Sequence, residues 1–156
     1  MLAVQPGGKF LTFFLGDEEY GVEILKVHEI IGLMPITRVP RAPEYVRGVI
    51  NLRGKVISIV DLRKKFDMPR AEGIAETCII VVQVGGVQLG IVVDRVSEVA
   101  HIADAEIDAA PSFGGDVPTD YLLGIGKCAG GVKLLLDIEK VLTPADGGAA
   151  AEASAA

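Results

Sequence analysis

The sequence predicts an all-β protein: two small barrels of about five strands each, packed together with short helices. Three observations carry this. Short, β-branched apolar runs recur at close intervals between Gly-, Pro- and charge-bearing turns. Few stretches hold a helical periodicity for long. The chain also repeats itself. Residues 45–66, YVRGVINLRGKVISIVDLRKKF, match residues 121–142, YLLGIGKCAGGVKLLLDIEKVL, without a gap, so that Tyr45 falls on Tyr121, Gly48 on Gly124, Gly54 on Gly130 and Asp61 on Asp137. Upstream, YGVEILKVHEI from Tyr20 matches LGIVVDRVSEV from Leu89. Two ordered matches indicate a duplicated supersecondary unit.

Taken in order, residues 1–9 are expected to be a flexible lead-in, with Pro6, Gly7 and Gly8. The first barrel is expected over residues 10–70. Phe10 to Leu15 is an aromatic-rich strand, GDEE a turn, and Tyr20 to about Ile24 a second strand. Val22 to Ile30 reads as extended, because its copy, Ile91 to Val99, is rich in Val. Gly32 breaks the run, and Met34 to Val39 is a short strand bracketed by Pro35 and Pro40, hence an edge or a bulge. Val49 to Leu52 and Val56 to Val60, joined by Arg53, Gly54 and Lys55, form a hairpin. Asp61 opens a helical turn as its N-cap, with basic residues toward the C-terminal end, and Asp137 does the same for DIEKVL.

Met68 to Ala75 is the plausible linker, and the second barrel is expected over residues 76–143. It begins with TCIIVVQV, turns at Gly85-Gly86 and returns as VQLGIVV. Asp104 to Pro111 reads as acidic and irregular, and residues 144–156 as a disordered tail of Ala, Gly, Ser and acid.

Composition narrows the function. Half the residues are hydrophobic, so the chain folds, yet no apolar run approaches the ~18 residues that span a membrane. The N-terminus lacks a signal-peptide pattern, which places the expected protein in the cytoplasm without membrane insertion. Net charge is −6, and the one sequence cluster of cations is Arg63, Lys64 and Lys65, so nucleic acid is not an expected partner. Cys78 and Cys128 read as buried reduced thiols in or beside apolar strands, a pairing between them being the other reading.

Motifs of catalysis fail on inspection. GVINLRGK has five residues between its glycines where a phosphate-binding loop needs four, and Val56 stands where Ser or Thr must hold magnesium. GIGKCAG is one residue too long for a dinucleotide fingerprint and precedes no helix. His28 and His101 lack metal-ligand spacing, so no metal or cofactor is expected. Arg53 at a hairpin tip reads as a solubilising charge on its own. In the second copy, however, Asn51 and Arg53 are replaced by Lys127 and Ala129, which favours a role beyond folding. Val27, Ile30, Val96 and Val99 are core candidates first; the other reading is a groove that captures an amphipathic helix.

Together, GDEEYGVEILKVHEI, YVRGVINLRGKVISIVDLRKKF and GIVVDRVSEV resemble the CheW family of bacterial chemotaxis coupling proteins, from Phe10 to about Leu142. NLRG followed by DLR is the specific part. The resemblance implies two SH3-like β-barrel subdomains and no catalytic activity. It implies an adaptor between membrane chemoreceptors (methyl-accepting chemotaxis proteins) and the regulatory domain of the histidine kinase CheA, at receptor arrays of the inner membrane. The receptor's cytoplasmic tip is expected in the groove between barrels. By motif match, Val27, Glu29, Asn51 and Arg53 of the first copy and Val96 and Val99 of the second are the expected receptor contacts, with Glu29 pairing to Arg53. No motif names the kinase contacts. Ser58 replaces a frequent family Pro, which is expected to leave that strand a less blunted edge. The alternatives are a coupling protein of a related array, for twitching or development, and a small phosphatase using Asp61 and Asp137.

Overall fold

The structure, a computed structural model, describes residues 8–66, 68, 77–108, 121–128 and 131–142. The expected linker beyond Met68 and the expected tail lie outside the described residues, as do residues 1–7 of the lead-in.

The first repeat holds strands β1 (Gly8–Leu15), β2 (Glu18–Glu23), β3 (Val27–Gly32), β4 (Val46–Leu52) and β5 (Lys55–Asp61), then helix α1 (Leu62–Lys65). The second holds β6 (Cys78–Val84), β7 (Val87–Val93), β8 (Arg95–Ile102), β9 (Ile107–Asp108), β10 (Leu122–Cys128), β11 (Gly131–Leu136) and helix α2 (Ile138–Val141). These form one six-stranded sheet, β8-β1-β2-β11-β10-β9, and one five-stranded sheet, β3-β6-β7-β5-β4. The fold is all-β with two SH3-like units, as expected.

The sheets do not follow the two halves of the sequence. The six-stranded sheet takes β1 and β2 from the first repeat and the rest from the second. The five-stranded sheet takes β3, β4 and β5 from the first and β6 and β7 from the second. The division at residues 10–70 and 76–143 therefore does not coincide with the sheets. Two parallel pairs join the repeats, and they are copies of each other: Tyr20↔Leu134 and Gly21↔Leu135 in one, Leu89↔Ser58 and Gly90↔Ile59 in the other. The edge pairs copy each other too, with Val27↔Val82 and Ile30↔Ile80 matching Val96↔Phe13 and Val99↔Leu11. The duplication is thus real, but each barrel is completed by the other copy.

This exchange explains the near-continuous apolar runs. Leu11, Phe13 and Leu15 of β1, and Ile80, Val82 and Val84 of β6, face one large core shared by both sheets. Their neighbours point the other way: Ile79 and Val81 enter the core of the five-stranded barrel, and Phe10 that of the six-stranded one. Strand side chains alternate between faces, so a strand buried on both faces cannot alternate apolar with polar.

Both hairpins β4–β5 and β10–β11 shift register at the matched glycines, Gly48 and Gly124. At Gly48 φ is +142°, and a Cβ would overlap the Thr37 carbonyl. That space lets Thr37 pair with Val49, through N–H···O bonds of 2.9 and 2.8 Å. In the second copy β9 lies against β10 in the same way. The expected strand Met34 to Val39 is therefore only this single bridge, because Pro35 and Pro40 remove ladder donors. Conversely, β9 forms inside a stretch expected to be irregular.

Other expectations are corrected. Gly8 and Lys9 are part of β1, not of a flexible lead-in. The extended run Val22 to Ile30 is broken by a 3-10 turn at Ile24–Lys26. Strand β5 is internal, between β7 and β4, so Ser58 sits fully buried inside the sheet and blunts no edge. The expected caps do form: Asp61 Oδ1 accepts from the N–H groups of Arg63 (3.0 Å) and Lys64 (3.4 Å), and Asp137 Oδ1 from that of Glu139 (3.2 Å).

Candidate functional site

The hairpin tip is a two-residue loop, Arg53–Gly54, with φ of +52° and +87°. Positive φ at both positions matches the twist of the flanking strands, and Gly or Asn normally fills them. Arg53 instead holds a left-handed backbone against the preference of its side chain. Asn51 offsets this: its Oδ1 accepts the Gly54 N–H at 2.8 Å. The Asn51 side chain is thus turned into the loop it stabilises, which is the role the structure gives it.

So held, the Arg53 guanidinium reaches Glu29 and donates to its carboxylate. The expected pair exists, and its setting gives it meaning. Glu29 is on β3 and Arg53 follows β4, and these strands are the two free edges of the five-stranded sheet. The pair bridges the seam of the curled sheet. Arg53 remains two-thirds exposed (66 %) and Glu29 is largely covered (25 %). One carboxylate occupies part of the guanidinium fork, and the rest of its five donors face solvent.

The apolar candidates also lie on edge strands, and Val27 shares β3 with Glu29. β3 and β8 are the edge strands of their sheets, and both shift register at matching points, His28–Glu29 and Ser97–Glu98. Such bulges twist an edge away from further pairing. The second bulge is pinned by the buried Thr12 hydroxyl, which donates to the Glu98 carbonyl (3.1 Å) and accepts its N–H (3.2 Å). Val27 and Val96 occupy matched places and both pack on the shared core. Val99 is 53 % exposed, and its copy Ile30 is 46 % exposed. Ile30, read with Val27, Val96 and Val99 as core or groove, was not among the contacts expected by motif match, and its exposure is close to that of its copy Val99. Leu25, at 94 %, is the most exposed of the large apolar side chains among the described residues.

Glu29, Asn51 and Arg53 are therefore brought to one end of the five-stranded barrel, while Val27 and Val96 border a common core. Cys78 lies near the junction of β3, β6 and β8: it pairs with Gly32, and the backbone of Val96 hydrogen-bonds its sulfur. Burial raises this thiol above its usual range, and that hydrogen bond offsets part of the rise. It is a free thiol, as read from the sequence, but half-buried rather than buried.

Arg63 of the DLR motif has a structural task. Its Nε donates to Asp94 Oδ1 at 2.9 Å, a second guanidinium N–H reaches Oδ2, and the Gly16 N–H donates to Oδ2 at 2.7 Å. Burial alone would raise the Asp94 carboxyl; the Arg63 and Gly16 donors outweigh it and hold the group below the usual carboxylate range. Among the described residues no group of His, Cys, Asp and Glu gathers into a metal site. No helix among them is long and apolar enough to cross a membrane.

Comparison with known proteins places this geometry. The CheW-like domain model matches residues 9–145. The chain is 43 % identical, over 88 % of its length and 82 % of the relative's, to the chemotaxis protein CheW of Klebsiella aerogenes. It is 37 % identical to the chemotaxis protein CheW of Rhizobium meliloti, covering 86 % of this chain and 87 % of that one. The crystal structure of the scaffolding protein TtCheW from Thermoanaerobacter tengcongensis superposes with a TM-score of 0.81 at 32 % identity, covering 89 % of this chain and 94 % of that one. The overall fold thus recurs in a scaffolding protein of known structure, and the chain belongs to the CheW-like domain family.

Proposed function

We propose that this chain is a non-catalytic adaptor of bacterial chemotaxis. It couples the cytoplasmic tip of membrane chemoreceptors to the regulatory domain of the histidine kinase CheA, on the cytoplasmic side of receptor arrays at the inner membrane. The observation that carries the reading is the Arg53–Glu29 pair, held at a barrel seam in a chain whose relatives are named chemotaxis and scaffolding proteins. In this reading Val27, Val96 and Val99 contact the apolar face of the receptor's helical tip. Arg53, oriented by Glu29 and by the Asn51-braced loop, donates to a receptor carboxylate or carbonyl.

The magnitudes fit. A micromolar signalling contact is worth about 8 kcal/mol, so loss of one preoriented guanidinium removes a large share of it. The pair itself is exposed on the arginine side, so its loss costs the fold little. Arg53→Ala is expected to keep a normal thermal melt and to lose receptor-stimulated kinase activity in a reconstituted array. Undiminished stimulation removes Arg53 from the site.

A second reading rests on one relative, the protein FrzA of Myxococcus xanthus, which is 31 % identical over 90 % of this chain. In that reading this chain is a coupling protein of a related receptor–kinase array, for twitching or development, and binding to that array's fragments in preference to chemotaxis fragments would favour it. The phosphatase reading draws no support from Asp61 and Asp137, whose carboxylates are engaged by helix N–H groups.

A further inference from the structure

At the other end of the β4–β5 hairpin from Arg53, five cations separated in sequence line one cavity of about 730 Å³: Arg38, Arg41, Arg47, Arg63 and Lys64. The hairpin is six residue steps long, so this cavity lies about 20 Å from the Arg53 turn. Among the described lining residues only Glu44 and Asp61 are acidic. Asp61 is occupied in capping α1, and Arg63 is clamped to Asp94. Arg38, Arg41, Arg47 and Lys64 make no ion pair with a described residue, and only the Glu44 carboxylate is left to balance them. In a chain of net charge −6 this is a local reversal of sign.

Like charges gathered around a concave, partly apolar wall focus an attractive field on anions. Ile36, Val46 and Met68 supply the apolar part. The volume is that of a small-molecule site. Guanidinium forks approach from the loop before β4 and from β4 itself, with Lys64 from α1, and together they suit an oxygen-rich group carrying several charges. A single carboxylate would leave most of these donors unpaired. We propose that the cavity binds a small phosphate-bearing anion, a di- or triphosphate, on Arg38, Arg41, Arg47 and Lys64. The proposal does not rest on the coupling function.

The test is calorimetric and amide-NMR titration of the intact chain with tripolyphosphate at low ionic strength. Binding is expected, with shifts concentrated in residues 38–47 and α1, and it weakens as salt rises. The double variant Arg38→Gln, Arg41→Asn is expected to lower affinity about tenfold or more with an unaltered melt. Asn is chosen because Arg41 has φ of +67°, which Asn tolerates. Should that variant fold poorly, Arg47→Gln alone is expected to give a smaller loss in the same direction. Arg53→Ala is expected to leave tripolyphosphate binding unchanged, so failure here and failure of the coupling reading are separate results. Absence of binding, equal binding by the variants, or tighter binding of a glutamate-rich peptide than of tripolyphosphate would each overturn the assignment.

Discussion

In the second repeat, the residue between β7 and β8 is Asp94, 8 % exposed beneath Arg63. In the first repeat the matching residue is Leu25, 94 % exposed. The contrast extends to the partners. Arg63, the second residue of α1, matches Glu139, the second residue of α2, and Glu139 reaches back to Lys26 at 2.6 Å. Each short helix is thus tied to the other repeat's strand junction by an ion pair, with the charges reversed. One pair is nearly buried, at 15 % and 12 % side-chain exposure; the other is open, at 33 % and 51 %. The same skeleton therefore carries a structural bolt on one side and, on the other, an accessible rim whose apolar residue is free to meet something else.

That difference is open to attack. Asp94→Ala leaves the Arg63 charge buried without its partner, and is expected to cost about 3–5 kcal/mol and lower the melting temperature markedly. Gly48→Ala breaks a feature common to both copies, by strain at positive φ and collision with the Thr37 carbonyl. It is expected to cost about 2–3 kcal/mol in a denaturant titration. Acid sharpens the comparison further. A carboxyl held low in the folded state contributes stability that is fully present above its ordinary unfolded pKa, near ~4, and is lost as pH falls below that. Wild type should lose stability below that pH more steeply than Asp94→Asn, as followed by chemical denaturation at graded pH. Lys26→Ala, by contrast, is expected to cost only about 0.5 kcal/mol by the same titration, since solvent screens the pair. Equal losses for Asp94→Ala and Lys26→Ala would erase the distinction.

What the sequence disclosed follows the range of each interaction. Hairpins, helix caps and the duplication rest on neighbours or on plain matches, and Asp61, Asp137, Gly48 and Gly124 behave alike in structure as they do in letters. The exchange of strands was hidden, because nothing local to β3 or β8 says which copy will receive it. The Arg53–Glu29 pair was expected from position and from the family resemblance; of the two residues only Arg53 stood out between the copies, against Ala129, because Glu29 has its counterpart in Glu98. Asn51 was read as a contact surface. Its place before an Arg-Gly loop was the clue that its oxygen would be spent on the turn. The cationic cavity escaped notice because Arg38, Arg41 and Arg47 meet Arg63 and Lys64 only after the chain has run out along β4 and back along β5.

The crossed strands also bear on where such a molecule comes from and how it assembles. A single repeat on its own would have lacked the strands that complete its barrel, and a natural remedy is a symmetric pair of chains trading arms. Joining two such chains end to end turns that association into an intramolecular one, after which each half is free to diverge without losing its mate. The cost falls on kinetics: the six-stranded lobe cannot finish until β2 has met β11, more than a hundred residues on, so this chain should fold more slowly than a hairpin-by-hairpin barrel of its size.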